Sequence, residues 1–215
     1  MRVVITCGPS YEPIDQVRRI TNFSTGELGL LLAKRCATAG VEVFCLMGEA
    51  ATCPLRPPGV EPISFSTNEN LLARLEAIPA PGEIDYLFHV AALADFKVES
   101  VTDAGGSPFA GGKIESRSGA LTLRLVPAIK LIGRLRALFP RAWIAGWKYE
   151  LDGSREEALA KGFRQIAENQ TNACFVNGAA YGEGFGHVEH DGFVAHYASK
   201  EILCEALIPY LSNAW

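Results

Sequence analysis

Apolar residues recur along the chain in two alternating rhythms. Val3 to Thr6 is a short β-branched run stopped by Cys7-Gly8-Pro9, the pattern of a strand buried on both faces. From Ser24 the period changes: Leu28, Leu31, Leu32 and Cys36 fall three and four residues apart, and Gly40 stops the helix this spacing predicts. Strands are then predicted at Val41–Met47, near Ile63–Phe65 and at Tyr86–Val90, with a helix from Asn68 to about Ala77 between the last two. A helix after Pro127, a strand at Trp143–Gly146, a helix from Ser154 to Glu168, a strand at Ala173–Val176 and a last helix from Ser199 continue the pattern. Strands alternating with helices of this length imply parallel pairs joined by right-handed crossovers, hence an α/β fold with a doubly wound, mostly parallel sheet. Ligands of such sheets bind beyond the carboxyl ends of the strands, which directs attention to the segments after Thr6, Val90, Gly146 and Val176.

One stretch breaks the alternation. Phe96 to Gly119 is rich in Gly and Ser, too long for an ordinary connection, and followed by the alternating Leu121-Thr122-Leu123-Arg124-Leu125. It reads as an extended flap at about residues 96–120 on a Rossmann-like sheet, since long loops in compact domains are usually lids or binding flaps. A chain of 215 residues is near the size that one core can serve, so a single domain over 1–215 is expected. With 48% hydrophobic and 20% charged residues, the chain has enough apolar surface to offset its entropy and fold.

Charge and cysteine usage narrow the partners. A net charge of -4 argues against nucleic acid, which is bound by dense Lys/Arg surfaces. Cys7, Cys36, Cys45, Cys53, Cys174 and Cys204 form no C-x-x-C pair and read as buried thiols of a reducing compartment. No run approaches the ~20 apolar residues of a spanning helix. Arg2–Thr6 reads as a strand rather than a secretory signal, so a cytoplasmic protein without a membrane partner is expected. His187, His190 and His196 lie close to Glu189 and Asp191, but their spacings fit no standard zinc pattern, and a mobile surface hairpin is the expectation. Tyr197-Ala198-Ser199-Lys200 lacks the extra residue that the Tyr/Lys pair of short-chain dehydrogenases requires, so Ser199 is read as an N-cap.

The chemistry concentrates in residues 8–29, GPSYEPIDQVRRITNFSTGELG, which run from the first strand into the first helix. Backbone N–H groups at that helix start, with the Ser24 and Thr25 hydroxyls and the permissive Gly26, form an anion site favoured by the helix dipole. The bland alternative makes Ser24 or Thr25 only an N-cap. The whole string, however, resembles the signature of phosphopantothenate–cysteine ligases. Three further segments resemble that family in the correct order: Ala91-Ala92-Leu93-Ala94-Asp95-Phe96, Lys113-Ile114 at the start of the strand after the flap, and Gly146-Trp147-Lys148-Tyr149-Glu150. The resemblance spans residues 2 to about 211. Departures occur too: bacterial relatives commonly read K-I-K-K where this chain has Lys113-Ile114-Glu115-Ser116, and place lysines where it has Gln165 and Asn169.

The resemblance implies a two-step ligation, in which a nucleoside triphosphate activates the carboxylate of 4'-phosphopantothenate and cysteine takes the acyl group, as in coenzyme A biosynthesis. It implies Asn22 and Lys113 as catalytic residues, and Gly8, Ser24, Thr25, Gly26, Ala91, Ala92, Asp95, Trp147 and Lys148 as binding residues. Each has an ordinary alternative: a turn residue for Asn22, a surface lysine for Lys113, a cap for Asp95, a buried aromatic for Trp147. Lys161 and Arg164 are candidates for the missing triphosphate charge, with a solvated helix face as the alternative. The nucleotide is ATP or CTP carried with Mg²⁺; Asn22-Phe23-Ser24, Lys148 and the Lys113–Ser116 string look more like the ATP-using branch. No protein metal site is assigned. By analogy with relatives the partner is a second copy in a homodimer. The competing readings are an NAD(P)-dependent reductase, which lacks G-x-G-x-x-G here, and a non-catalytic nucleotide-binding protein on the same fold.

Overall fold

The computed structural model describes residues 1–109, 112–115 and 117–212, so Ser116 of the flap string lies outside the described residues. Strand β1 (Arg2–Cys7) leads through a small hairpin, β2 (Tyr11–Pro13) and β3 (Arg19–Thr21), into helix α1 (Glu27–Thr38). Then come β4 (Glu42–Gly48), β5 (Ile63–Phe65), α2 (Asn68–Glu76) and β6 (Tyr86–His89), followed by β7 (Phe96–Asp103) and β8 (Leu121–Pro127). The remaining elements are α3 (Ile132–Leu138), β9 (Trp143–Tyr149), α4 (Arg155–Asn169), β10 (Ala173–Gly178), β11 (Gly182–Glu189), β12 (Val194–Tyr197) and α5 (Lys200–Ser212).

Eight strands form one sheet in the order β12-β11-β10-β9-β6-β1-β4-β5. All pairs from β5 across to β10 are parallel, and β11 and β12 add on in antiparallel fashion. The doubly wound, mostly parallel expectation is thereby met. The pleat divides each strand between two faces. Val3, Ile5, Cys7, Phe88, Ala145 and Phe175 pack under α1 and α5, while Val4, Leu46, Leu87 and Ile144 pack under α2 and α3. Helix α4 covers Cys174, Val176 and Val188 on that second face. It starts at a capping box in which Glu157 N–H donates to Ser154 Oγ (3.3 Å) and Ser154 N–H to Glu157 Oε2 (2.8 Å). Ser199 opens α5 as read from the sequence, its hydroxyl accepting from Ile202 N–H at 3.3 Å. Five of the six thiols are buried and Cys53 is half-buried; all are unpaired. Among the described residues no helix is long and apolar enough to cross a membrane.

The structure departs from the sequence reading at four places. The histidine segment is a hairpin, but one built into the sheet rather than lying on the surface: β11 and β12 pair antiparallel at its edge, and His187 is 1% exposed, stacked on Phe175 and 3.1 Å from Glu189 Oε1. His196 does face solvent, its ring nitrogen 2.9 Å from the Tyr181 hydroxyl. The flap is an arm rather than a loop over its first and last parts, because β7 and β8 pair antiparallel with a bulge between Val98 and Ser100. Lys113 and Ile114 do not start the strand after it; β8 begins only at Leu121. Finally, α1 begins at Glu27 rather than at Ser24, since Gly26 takes the left-handed conformation (φ 80°) that only a residue without Cβ adopts easily, and it becomes the N-cap.

Candidate functional site

Three glycines shape the carboxyl end of β1. Gly8 has φ +75°, and a Cβ there would stand 2.8 Å from Ala51 Cβ; one on Gly26 would meet Gly8 Cα at 3.3 Å. A Cβ on Gly29 would fall 2.3 Å from Cys7 Cβ, so α1 lies against β1 at a distance only glycine permits. The helix ladder opens with Leu30 N–H on Gly26 C=O (3.1 Å), leaving the N–H groups of Leu28 and Gly29 without intrahelical acceptors. No side chain caps this end; Glu27 N–H reaches Thr25 Oγ1 at 3.3 Å. The helix start therefore opens into a cleft of about 200 Å³, bounded by Gly8 and Ser24–Gly29 on one side and by Val90, Asn177, Phe185 and Lys200 on the other. Such an end offers N–H donors and a positive dipole to an anion.

The loop after β6 closes against the same region. Ala92 N–H donates to Gly8 C=O (3.0 Å), Ser10 N–H to Ala92 C=O (3.3 Å) and Ala94 N–H to Ser10 Oγ (2.8 Å). Asn22 Nδ2 donates to Leu93 C=O at 2.8 Å and, more weakly, to Ala92 C=O at 3.4 Å. Asn22, Ala91 and Ala92 thus border the wall that Gly8, Ser24, Thr25 and Gly26 begin, and the exposed Asp95 follows on the same loop. Beneath the loop, Asn68 is 1% exposed and holds Ala94 C=O (2.8 Å) and Ile129 C=O (3.3 Å) through Nδ2. His89, 7% exposed at the end of β6, lies 2.8 Å through Nδ1 from Thr6 Oγ1; burial pushes its pKa down to about 4, so the ring is neutral.

Lys113 is placed by its neighbours. Asp15, with a side chain 3% exposed, accepts from Ile114 N–H (3.1 Å), Val17 N–H (2.9 Å) and Arg18 N–H (2.7 Å), and pairs with Arg18 Nη1 at 2.5 Å. Arg18 donates in turn to Ile114 C=O at 3.0 and 3.1 Å, and Gln16 N–H to Gly112 C=O at 2.9 Å. Burial works against the Asp15 carboxylate, but the N–H groups of Ile114, Val17 and Arg18 outweigh it and hold the pKa below its ordinary value. The turn between β2 and β3 is thereby stapled to the foot of the flap, where Ile114 is buried and Lys113 is exposed.

The rest of the predicted binding set divides between the two faces. Trp147 shares the face of the cleft; its ring stacks on Phe175 at 4.4 Å and its Nε1 is buried without a hydrogen bond. Lys148, its neighbour on β9, points to the opposite face, where Glu150 holds Lys148 at 3.7 Å and Lys161 at 2.5 Å. Arg164 is exposed on α4, and Gln165 is used internally, Nε2 donating to Trp147 C=O at 3.3 Å and Oε1 accepting from Cys174 Sγ at 3.0 Å. Lys148, Lys161 and Arg164 are therefore not brought to the cleft that holds Gly8 and Gly26. Sequence reading gave no site role of their own to Gly29 or to the far-side residues Asn177, Phe185 and Lys200. Asn177 had a signal, as the residue directly after Val176 at a carboxyl strand end; Phe185 and Lys200 had none.

Comparison with known proteins agrees with this picture. The sequence profile of the family described as DNA/pantothenate metabolism flavoprotein C-terminal domain matches residues 1–205. The coenzyme A biosynthesis bifunctional protein CoaBC of Thermococcus kodakarensis is 30% identical over 178 residues, covering 82% of this chain and 41% of that protein. Its Bacillus subtilis counterpart is 29% identical over 185 residues, covering 84% and 42%. The chain thus spans less than half the length of these relatives. Among solved structures, the DNA/pantothenate metabolism flavoprotein of Streptococcus pneumoniae superposes with a TM-score of 0.86 at 22% identity, covering 100% of both chains. A Cab2 variant in complex with phosphopantothenate-cysteine gives 0.72 at 20% identity, over 98% of this chain and 85% of the other. These structural likenesses bear on the fold alone.

Proposed function

Because the chain belongs to the family of DNA/pantothenate metabolism flavoprotein C-terminal domains, whose phosphopantothenate–cysteine ligase motifs it carries, we propose that it joins 4'-phosphopantothenate to cysteine at the expense of a nucleoside triphosphate. The observation that carries this reading is the meeting of two motif segments, Asn22 reaching Leu93 across 71 residues, around a helix end left open to an anion. A nucleotide's phosphates are the natural occupant of that end, over the N–H groups of the Gly26 turn and beside the Ser24 and Thr25 hydroxyls. Trp147, on the same face, is assigned to the base side, and ATP is the expected nucleotide.

In the first step a carboxylate oxygen of phosphopantothenate bonds to the α-phosphorus as the bond to pyrophosphate breaks. Lys113, on a flap whose foot Asp15 and Arg18 fix, is assigned to the oxygens on which negative charge develops. In the second step the cysteine amine bonds to the acyl carbon, loses a proton, and the nucleoside monophosphate leaves. Asn22 Nδ2 keeps one hydrogen on Leu93 C=O; its contact with Ala92 C=O is long (Nδ2···O 3.4 Å), which leaves the second hydrogen for the oxyanion. Asp95 and the loop of Ala91 and Ala92, whose N–H groups already hold Thr6 Oγ1 and Gly8 C=O, are assigned to the side of the acyl substrate. Mg²⁺ would travel on the phosphates, as magnesium usually does. Among the described residues no cluster of three His, Cys, Asp or Glu side chains is placed to hold an ion alone. Lys148, Lys161 and Arg164 serve at most from the opposite face. We extend the reading to a single domain, cytoplasmic and homodimeric, by analogy with the family.

The test is direct: purified protein, phosphopantothenate, cysteine and either ATP or CTP, with pyrophosphate and phosphopantothenoylcysteine measured. Pyrophosphate release that requires phosphopantothenate supports the ligase; its absence with both nucleotides overturns the reading.

A further inference from the structure

Among the described residues that border the cleft, Lys200 is the only Lys or Arg and Glu27 the only acidic residue. They come from helices far apart in sequence. Lys200 begins α5, Glu27 begins α1, and Lys200 Nζ stands 2.5 Å from Glu27 Oε2. The two helices are clamped a second time farther along, where Arg35 pairs with Glu205 at 2.6 Å, so α1 and α5 do not need the first pair to stay packed. The side chains of Lys200 and Glu27 are 33% and 49% exposed, and an ion pair of that exposure is easily exchanged. Glu27 suits an empty helix start, because a carboxylate in the first turn complements the dipole. Toward an incoming polyphosphate the same carboxylate is repulsive.

On the ligase reading, with a nucleoside triphosphate in this cleft, we infer that Lys200 is a polyphosphate-positioning residue that Glu27 holds in reserve. When the triphosphate arrives, the ammonium passes from the Glu27 carboxylate to a phosphate oxygen, forming the stronger, charge-assisted bond. Glu27 is left to solvent. The exchange also accounts for the missing lysines of the triphosphate site: Lys161 is engaged with Glu150 on the opposite face, and Gln165 with Trp147 and Cys174. Lys200 provides the cation on the side where the helix end opens.

The two partners should then act on nucleotide binding with opposite signs. Lys200→Met is expected to weaken Mg-ATP or Mg-CTP binding by about tenfold to a hundredfold, the loss that follows removal of one hydrogen bond to a charged group. Lys200→Arg should restore most of it. Glu27→Gln, which frees the ammonium and removes the repulsion, should tighten binding. The measurement is calorimetric titration of the full chain with each nucleotide and magnesium, backed by the nucleotide KM and kcat of pyrophosphate release and by thermal melts. An ion pair that only joins two helices predicts something else: both variants would lower Tm and leave nucleotide affinity unchanged, and that outcome overturns the inference while leaving the ligase intact. If the wild-type protein binds neither nucleotide, the ligase reading and this inference fall together.

Discussion

Gly29→Ala gives the sharpest test of the idea that glycine spacing sets the anion site. Alanine in a helix interior gains about 1 kcal/mol over glycine, so a helix judged by propensity alone would be stabilised. Here the added Cβ would stand 2.3 Å from Cys7 Cβ and 3.4 Å from Cys7 Cα, both on a strand residue that is 0% exposed in the middle of the sheet. Neither atom is the far end of a flexible side chain. To restore ordinary contact α1 must retreat by about 1 Å, and overpacking of this kind costs about 1–3 kcal/mol. Because the clashing atom is a Cβ fixed on a buried strand, the upper half of that range applies, and a net loss of about 1–2 kcal/mol remains. At about 2–4 °C per kcal/mol for a chain of this size, Tm should fall by several degrees. Function should suffer more, because a retreat of about 1 Å takes the N–H groups of Leu28 and Gly29 out of hydrogen-bond range of a phosphate. Gly133→Ala is the matched control: it lies in α3, and its Cβ would meet only Asn169 Oδ1 at an ordinary 3.4 Å. That variant should be neutral or more stable. Cys7→Gly combined with Gly29→Ala should recover part of the nucleotide affinity, since it removes the atom in the way. Differential scanning calorimetry and nucleotide titration decide the matter. A Gly29→Ala protein with unchanged Tm and affinity would show that α1 is not held by this contact, and the glycine account of the site would fail.

Lys113→Met should lower kcat by at least ~10²-fold with no change in Tm, the scale expected when one preorganised charge on the reacting group is removed; near-normal turnover would take Lys113 out of the mechanism. Asn22→Ala and Asn22→Asp should still release pyrophosphate in roughly stoichiometric amount but turn over slowly with cysteine, leaving acyl nucleotide that rapid-quench mass spectrometry can detect. Loss of pyrophosphate release with nucleotide still bound would move Asn22 to the activation step. His89 carries a pH signature: its pKa is lowered from 6.5 to about 4 by burial, so between those values the unfolded chain takes up a proton that the folded chain refuses. Stability from this group is complete at neutral pH and falls with acidification through that window, by about 1.4 kcal/mol per pH unit for one such proton. His89→Gln should flatten the slope in urea unfolding between pH 6.5 and 4.5; an unchanged slope would show that His89 is protonated in the folded chain.

How far the sequence revealed this architecture depended on whether a feature is local. Val3–Thr6 and the Leu28, Leu31, Leu32, Cys36 stripe carry their periods in a few residues, and β1 and α1 lie where those periods put them, apart from the start of the helix. That start slipped from Ser24 to Glu27 because Gly26 took the cap, a choice governed by how closely Gly8 and Ala51 approach it. The edge strands were harder. β11 contains Gly182, Gly184 and Gly186, which read as loop residues, yet Gly186 leaves room for Tyr181 and Leu159, and Gly184 for the backbone of Tyr197. Antiparallel addition at a sheet edge requires no intervening helix, so the strand–helix rhythm gave no notice of it. Trp147 and Lys148, named together as binding residues, show the converse case. Their adjacency in a motif suggested one site, whereas a strand sends consecutive side chains to opposite faces, and period two alone separates them. Lys200 was unreadable for a third reason: its place in the cleft comes from the packing of α1 on α5, and nothing within either helix records it.

These placements bear on how an acidic chain can host a polyanion. At a net charge of -4 the protein as a whole does not attract a triphosphate, and the lysines that the sequence offered for that purpose lie across the sheet around Glu150. What remains on the cleft side is mostly uncharged: N–H groups at the first turn of α1, the backbone near Gly8 and Gly26, two hydroxyls, and one ammonium already neutralised by Glu27. Donors of this kind cost nothing to desolvate as ions and hold their directions before the ligand arrives, so they favour an anion by geometry rather than by field. A site so built has a reason to keep its few mobile cations in reserve. Lys113 stands on a flap foot fixed by Asp15 and Arg18, and Lys200, parked on Glu27, is on our inference delivered once the phosphates are seated. On the ligase reading, the ammonium of Lys200 tightens the seated triphosphate, whereas Lys113 acts on oxygens that gain negative charge in the transition state, and only an interaction of that second kind raises turnover instead of tightening substrate binding.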